Sequence, residues 1–342
     1  MTVIGPSGGT GTLHDGDRGH PERPARVDAV MAGVADVALE LGSDLEILAP
    51  EPAGVAALAR VHTAGYLQRL EEFCLGGGGQ LDPDTFAKAD SWEAAQLSAG
   101  AGLQAIETLR RRGDGVAFVA TRPPGHHALA DRAMGFCLLN NVAVSAAALV
   151  AEGERVLIVD WDVHHGNGTQ ALFWDDPSVL YVSTHQSPFY PGTGDAGEVG
   201  GDEAPGLTVN IPLPGGATGD VLRRALDEVA APVIETFDPT WVLISAGFDA
   251  HRADPLADLA LSSADFAALA RTVAGYAPQP GRVVVHLEGG YDLGALRTSV
   301  AATLGALSGM PAPADAERPT SGGPGADMVD RAAEDRERAL SL

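Results

Sequence analysis

Six short apolar runs, separated by helix-like stretches, restrict this chain more than any other feature of it. They occupy residues 116–119, 156–159, 179–182, 207–211, 241–245 and 283–287, and helical patterns fill 140–152, 219–236, 263–276 and 292–308 between them. Runs of four or five residues, mostly apolar and rich in β-branched types, bounded by turns read as strands buried on both faces. Their alternation with helices predicts a parallel sheet with helices on both sides. The chain of 342 residues is long enough for one large α/β domain or two smaller ones.

The flanks are less regular. Residues 5–19 read as a Gly-rich loop, and a helix is expected through about Leu41 with Pro24 in its first turn. A second helix begins near Val61 and stops at the glycines of 76–79, which read as a flexible surface loop. After a turn at Asp82-Pro83-Asp84-Thr85, an Ala-rich helix is expected over 91–111. From 311 the composition shifts to Pro, Gly and charge, a tail with a short helix expected over 330–342.

Net charge excludes one broad class of function. At −24 the chain lacks the basic footprint that non-specific nucleic-acid binding needs. Such a charge steers cationic partners such as polyamines or Lys-rich segments over long range. No apolar run reaches membrane-spanning length, and no basic, apolar leader opens the sequence. Two cysteines, Cys74 and Cys137, make no disulfide framework, so a cytoplasmic enzyme is expected.

Chemistry collects where the apolar runs end. The run 156–159 leads straight into Asp160, Asp162, His164 and His165. Alternation along an extended chain puts Asp160, Asp162 and His164 on one side, where carboxylate and imidazole can grip one cation. Four ionisable groups against a buried strand cost too much without such a partner. Residues 122–127 (Arg-Pro-Pro-Gly-His-His), 246–249 (Ala-Gly-Phe-Asp) and 288–291 (Glu-Gly-Gly-Tyr) follow three other runs in the same way. Ligands bind outside the carboxyl ends of parallel strands, so His126, His127, Asp162, His164, Asp249 and Tyr291 are expected to converge. Each alone is ordinary: a surface His pair, a helix N-cap, a turn. Their shared position carries the reading.

On these residues the chain resembles the histone deacetylase family, within the arginase–deacetylase fold, and most of all its class II and bacterial deacetylase-like members. The matching segments are HPERPAR (20–26), RPPGHHA (122–128), GFCLLNN (135–141), DWDVHHGNGTQ (160–170), PGTGD (191–195), SAGFDAHRADP (245–255) and LEGGYDL (287–293). The resemblance implies a single α/β domain with a mostly parallel eight-stranded sheet, a catalytic domain over 1–310 and a tail over 311–342. It implies hydrolysis of acyl groups from lysine side chains, or from acetylated polyamines, with one Zn²⁺ per chain that Fe²⁺ can replace.

Carried over motif by motif, Asp162, His164 and Asp249 are the expected metal ligands. His127 is the expected general base and acid, beside His126 held by Asp160. Tyr291 is the expected oxyanion donor. Phe136, Tyr190 and the Gly135 carbonyl line the acyl-lysine channel, and Leu256 stands at its mouth. A structural K⁺ is expected at Asp160, Asp162, His164, Ser183 and Thr184. Arg26 reads equally as an arginine of the acetate-exit channel or as a solvated helix residue.

Four positions set this chain within the family pattern. Asn167 stands where class I members carry an acid behind the second His. Residue 291 is Tyr, not the His of weakly active class IIa enzymes. Tyr190 replaces a channel Phe. Leu256 replaces the Glu of polyamine-preferring eukaryotic members. A binuclear Mn²⁺ ureohydrolase, which shares the fold, would need a further carboxylate where Gly166 stands. A silent acyl-lysine binder would have no need of the full set of ligands and Tyr291.

Overall fold

The computed structural model describes residues 1–6, 10–16, 19–312 and 316–341; residues 7–9 and 17–18 of the expected N-terminal loop, and 313–315 and 342 of the expected tail, lie outside them. Among the described residues there are ten strands: β1 (Thr2–Ile4), β2 (Glu46–Leu48), β3 (Gly78–Gln80), β4 (Phe86–Lys88), β5 (Ala117–Val119), β6 (Val156–Asp160), β7 (Val179–Gln186), β8 (Thr208–Leu213), β9 (Trp241–Ala246) and β10 (Val283–Leu287). Eight of them form one sheet in the order β2-β1-β5-β10-β9-β6-β7-β8, and every pairing in it is parallel. The expected eight-stranded α/β domain is therefore observed.

The period of two along β6 shows why these runs are continuously apolar. Leu157 and Val159 join one core cluster, and Val156 and Ile158 join another on the opposite face. The first face is covered by helices Ala25–Leu41, Ser263–Ala274 and Leu293–Leu307, through residues such as Val30, Leu269 and Val300. The second is covered by helices Ala64–Leu75, Ser91–Arg112 and Asn141–Val150, through Leu70, Ile106 and Val142. Among the described residues, no helix is long and apolar enough to cross a membrane.

Three expectations on the flanks are corrected. The glycine run does not stay a loop, because Gly78–Gln80 pairs antiparallel with Phe86–Lys88 as a hairpin. Residues 219–237 are not one regular helix. A π-helical turn at Leu226–Ala230 separates two α-helical pieces just before Pro232, whose ring nitrogen has no hydrogen to continue the ladder. The C-terminal helix begins at Ala326 rather than Asp330 and runs to Leu340. It is packed onto the domain: Val329 and Ala332 belong to the main core cluster, and Arg336 donates to the Thr208 carbonyl at 2.6 Å.

Candidate active site

The four strands β5, β10, β9 and β6 are consecutive neighbours in the sheet, and each delivers one reactive segment from its carboxyl end. β5 leads to His126 and His127, β10 to Glu288 and Tyr291, β9 to Asp249, and β6 to Asp160, Asp162 and His164. Neighbouring strands lie under 5 Å apart, so segments distant in the chain meet in one crevice.

Asp162, His164 and Asp249 present ligand atoms that all lie within 4.8 Å of one another. His164 Nδ1 is 3.1 Å from Asp162 Oδ1 and 3.3 Å from Asp249 Oδ2. Burial pulls the His164 imidazole down, but the two carboxylates outweigh it and raise it to about 10. The carboxylates themselves are driven apart. Asp162 is held well below the usual range, chiefly by His126 and His164 against its burial, whereas burial and the Asp162 charge push Asp249 up. Asp249 Oδ2 is enclosed and has no hydrogen-bond partner among the described residues. Two mutually repelling carboxylates, one orphaned oxygen and an imidazole fit a divalent cation. The space is kept open by Gly289, where a Cβ would fall 2.0 Å from Asp249 Oδ2. A Cβ at Gly166 would fall 2.3 Å from Asp160 Oδ2, so no carboxylate for a second ion fits there.

The paired histidines sit beside this group in different electrostatic states. His126 Nδ1 lies 3.0 Å from Asp160 Oδ2. Burial lowers His126, but Asp160 and Asp162 prevail and raise it to about 10. His127 Nδ1 lies 2.8 Å from Asn167 Oδ1, a neutral partner. Burial, then the charges of His126 and His164, hold His127 well below its usual value, so it is unprotonated and able to accept a proton. The tilted rings of His126 and His127 are 4.0 Å apart between centres.

Aromatic residues wall the approach. The Tyr190 ring stands edge-on to His127 at 5.2 Å and to His164 at 6.1 Å, with 37% of the residue exposed. The Phe136 ring meets Tyr291 edge-on at 5.8 Å. Gly135 and Phe136 both have positive φ, at 56° and 66°, and a Cβ at Gly135 would strike the His127 ring at 2.4 Å. Burial raises the Tyr291 phenol well above its usual value, against the opposing pull of Arg26, so it keeps its proton. Leu256 lies on the loop after Asp249, where its N–H donates to Asp254 Oδ1 at 3.0 Å.

The remaining expected residues are placed as follows. Ser183 is the register partner of Asp160 on β7, and its hydroxyl pairs with His185 Nδ1 at 2.9 Å. Thr184 is buried beside it. Arg26 is not a solvated helix residue: it is wholly buried and donates to Gly290 O at 2.7 Å and Glu22 Oε1 at 3.1 Å. His165 turns from the crevice to Thr193 and Gln170.

A histone deacetylase domain matches residues 20–307 of this chain. The chain belongs to the histone deacetylase family. It is 39% identical over 318 residues to "Histone deacetylase 10, chloroplastic" of Oryza sativa, covering 85% of this chain and 70% of that protein. It is 39% identical over 279 residues to the "Histone deacetylase-like amidohydrolase" of Pseudomonas aeruginosa, covering 80% of this chain and 73% of the relative. A "Probable deacetylase" of Archaeoglobus fulgidus is 38% identical, with 87% and 84% covered. Among solved structures, the HDA15 HD domain superposes with a TM-score of 0.87 at 34% identity, over 99% of this chain and 96% of that one.

Within this histone deacetylase family site, several supporting groups escaped the sequence reading. Glu288 accepts from Gly125 N at 2.7 Å and His126 N at 3.2 Å, and so fixes the segment that carries the two histidines. Burial raises it to about 7 against the pull of His126. Asp254 Oδ2 accepts from Tyr291 N at 2.6 Å and ties the Leu256 loop to the Tyr291 turn. Glu22 is clasped by Arg122, Arg26 and His14 beneath the site. A carboxylate directly after a buried strand was the one available signal for Glu288; Asp254 and Glu22 owe their places to long-range packing.

Proposed function

We propose that this protein is a zinc-dependent amidohydrolase that removes acetyl groups from lysine side chains. The observation that carries the reading is the Asp162–His164–Asp249 group beside His127, whose Nδ1 meets the neutral Asn167 Oδ1 at 2.8 Å. A divalent ion held by those three residues, Zn²⁺ or Fe²⁺, would polarise an amide carbonyl and acidify a water. His127, oriented by Asn167, takes the proton from the attacking water and returns it to the leaving amine. His126 stays charged against Asp160 and supplies positive potential beside the reacting centre. The Tyr291 hydroxyl donates to the carbonyl oxygen as it gains charge. Phe136 and Tyr190 flank the lysine stem, with the Gly135 carbonyl available to the amide N–H. The names deacetylase and amidohydrolase borne by the relatives agree with this chemistry.

The test combines metal analysis with mass-spectrometric assay of an acetyl-lysine peptide. One divalent ion per chain is expected, with Asp249→Ala and Asp162→Ala losing both ion and activity. Two Mn²⁺ per chain, with urea released from a guanidino substrate, would overturn the reading in favour of a ureohydrolase.

A further inference from the structure

The amide of Asn167 has two ends of nearly equal shape and opposite hydrogen-bonding character. Its Oδ1 faces His127 Nδ1 at 2.8 Å, and its Nδ2 donates to Met134 Sδ at 3.4 Å. The orientation decides the tautomer of His127. With the carbonyl toward Nδ1, that nitrogen carries the hydrogen and the Nε2 lone pair is free. With the NH₂ group toward Nδ1, the hydrogen is forced onto Nε2 and the ring has no basic nitrogen left for the crevice.

We propose that Met134 is a positioning residue for His127, acting through Asn167: its thioether, an acceptor with no donor, holds the amide the right way round. The inference rests on the reading of His127 as the proton-handling residue. A thioether suits the task because it takes an N–H and can never offer one in return. It also adds no charge next to His127, which an acid in its place would do.

Met134 is itself held firmly. It exchanges backbone hydrogen bonds with Cys137, Met134 N to Cys137 O at 3.1 Å and Cys137 N to Met134 O at 2.9 Å. The tight turn between them contains Gly135 and Phe136 at positive φ. One turn therefore places the Gly135 carbonyl, the Phe136 ring and the sulfur behind Asn167. Arg132 NH2 approaches the same sulfur at 3.8 Å.

The test uses Met134→Leu in the full, zinc-loaded chain. Leucine keeps the volume and removes the acceptor, a swap that cores tolerate well. Long-range ¹H–¹⁵N spectra of histidine-labelled protein, with His127 assigned by its loss in His127→Phe, report the tautomer directly. Wild type is expected to show only the Nδ1–H form, and Met134→Leu a mixture with the Nε2–H form. On an acetyl-lysine peptide, Met134→Leu is expected to lower kcat about twofold, as the active tautomer falls to roughly half of the population, with KM little changed. In an Asn167→Asp background the same change is expected to cost nothing, because a carboxylate has no wrong end. A pure Nδ1–H tautomer in Met134→Leu, or an equal loss in both backgrounds, would overturn the proposal and leave Met134 as packing. Failure of wild type to cleave acetyl-lysine would instead overturn the functional reading, and the tautomer spectra would still decide the role of Met134.

Discussion

The guanidinium carbon of Arg26 lies 4.9 Å from the centre of the Tyr291 ring, with the cation over the aromatic face. Arg26 also donates to Gly290 O at 2.7 Å and Glu288 O at 2.5 Å, the carbonyls of the turn that leads to Tyr291. The phenol is thus braced from behind, and its hydroxyl alone is free to act on a substrate. Tyr291→Phe keeps the ring and the brace. It is expected to cut kcat by ~10²–10³, the cost of one lost oxyanion donor. KM and metal content should change little, since the bond strengthens only as the transition state forms. Wild-type kcat in a metal-loaded Tyr291→Phe enzyme would reduce the tyrosine to a wall of the pocket.

The same pair shows where sequence reading succeeds and where it stops. Strand β10 was legible to the residue, because a strand buried on both faces must be largely apolar, and Val283–Leu287 is, with His286 the exception. The segments after β5, β6, β9 and β10 were legible as chemistry, because polar groups crowd where apolar runs end. Strands β1 and β2 were not: three residues each are too short for a period to show. Arg26 was ambiguous because a helix position four residues after a Glu looks like a surface ion pair. Its decisive partner, Gly290, is 264 residues away. Met134 gave no signal, since a methionine's acceptor role is invisible without its neighbour.

Two buried groups, His62 and Glu22, are each expected to take stability away as pH drops, in overlapping stages. Burial holds His62 down to about 4, against its hydrogen bond to Leu129. Its neutral form uses both nitrogens, Nδ1 toward Leu129 O at 2.9 Å and Nε2 accepting from Asn140 N at 2.9 Å. A folded value below the unfolded one means the unfolded chain takes up the proton first, so stability is lost as pH falls from about 6.5 toward 4. Glu22 follows lower down. Burial would raise it, but Arg122 and Arg26 bring it to about 2, so its contribution is present above pH 4.5 and lost below. Urea unfolding between pH 4.5 and 7.5 checks the first stage. His62→Gln should reduce the slope by about 1.4 kcal/mol per pH unit, the value for one titrating group. An unchanged slope would show that His62 titrates normally.

Removal of residues 311–342 is expected to destabilise the domain. The last helix covers β8, an edge strand, and Arg336 donates to the Thr208 carbonyl at its start and to the Gly206 carbonyl just before it. Ahead of it, Glu317 holds His251, Arg252 and the Ser263 N–H, and so steadies the loop between Asp249 and Asp254. Arg336→Met alone should cost about 1–3 kcal/mol by leaving buried carbonyls unpaired. A truncated chain with an undiminished melting temperature would show that the segment merely rests on the domain.

Substrate choice within the proposed reaction is expected to turn on Leu256. Its N–H is fixed to Asp254, whose other oxygen holds Tyr291 N at 2.6 Å, so the loop that carries residue 256 is tied to the Tyr291 turn. Leucine offers no charge to a second ammonium on the substrate. The net charge of −24 attracts polycations, but beyond a Debye length of about 8 Å it is largely screened. A group at the mouth discriminates more than a distant field. Acetyl-lysine peptides should therefore exceed acetylspermidine in kcat/KM. Leu256→Glu places one carboxylate near the entering ammonium, where a charge pair about 4 Å apart in water is worth about 1 kcal/mol. The ratio should then shift about fivefold toward the polyamine, with kcat on acetyl-lysine nearly unchanged. A wild type that prefers acetylspermidine, or a Leu256→Glu variant with an unaltered ratio, would show that selection is made elsewhere in the channel.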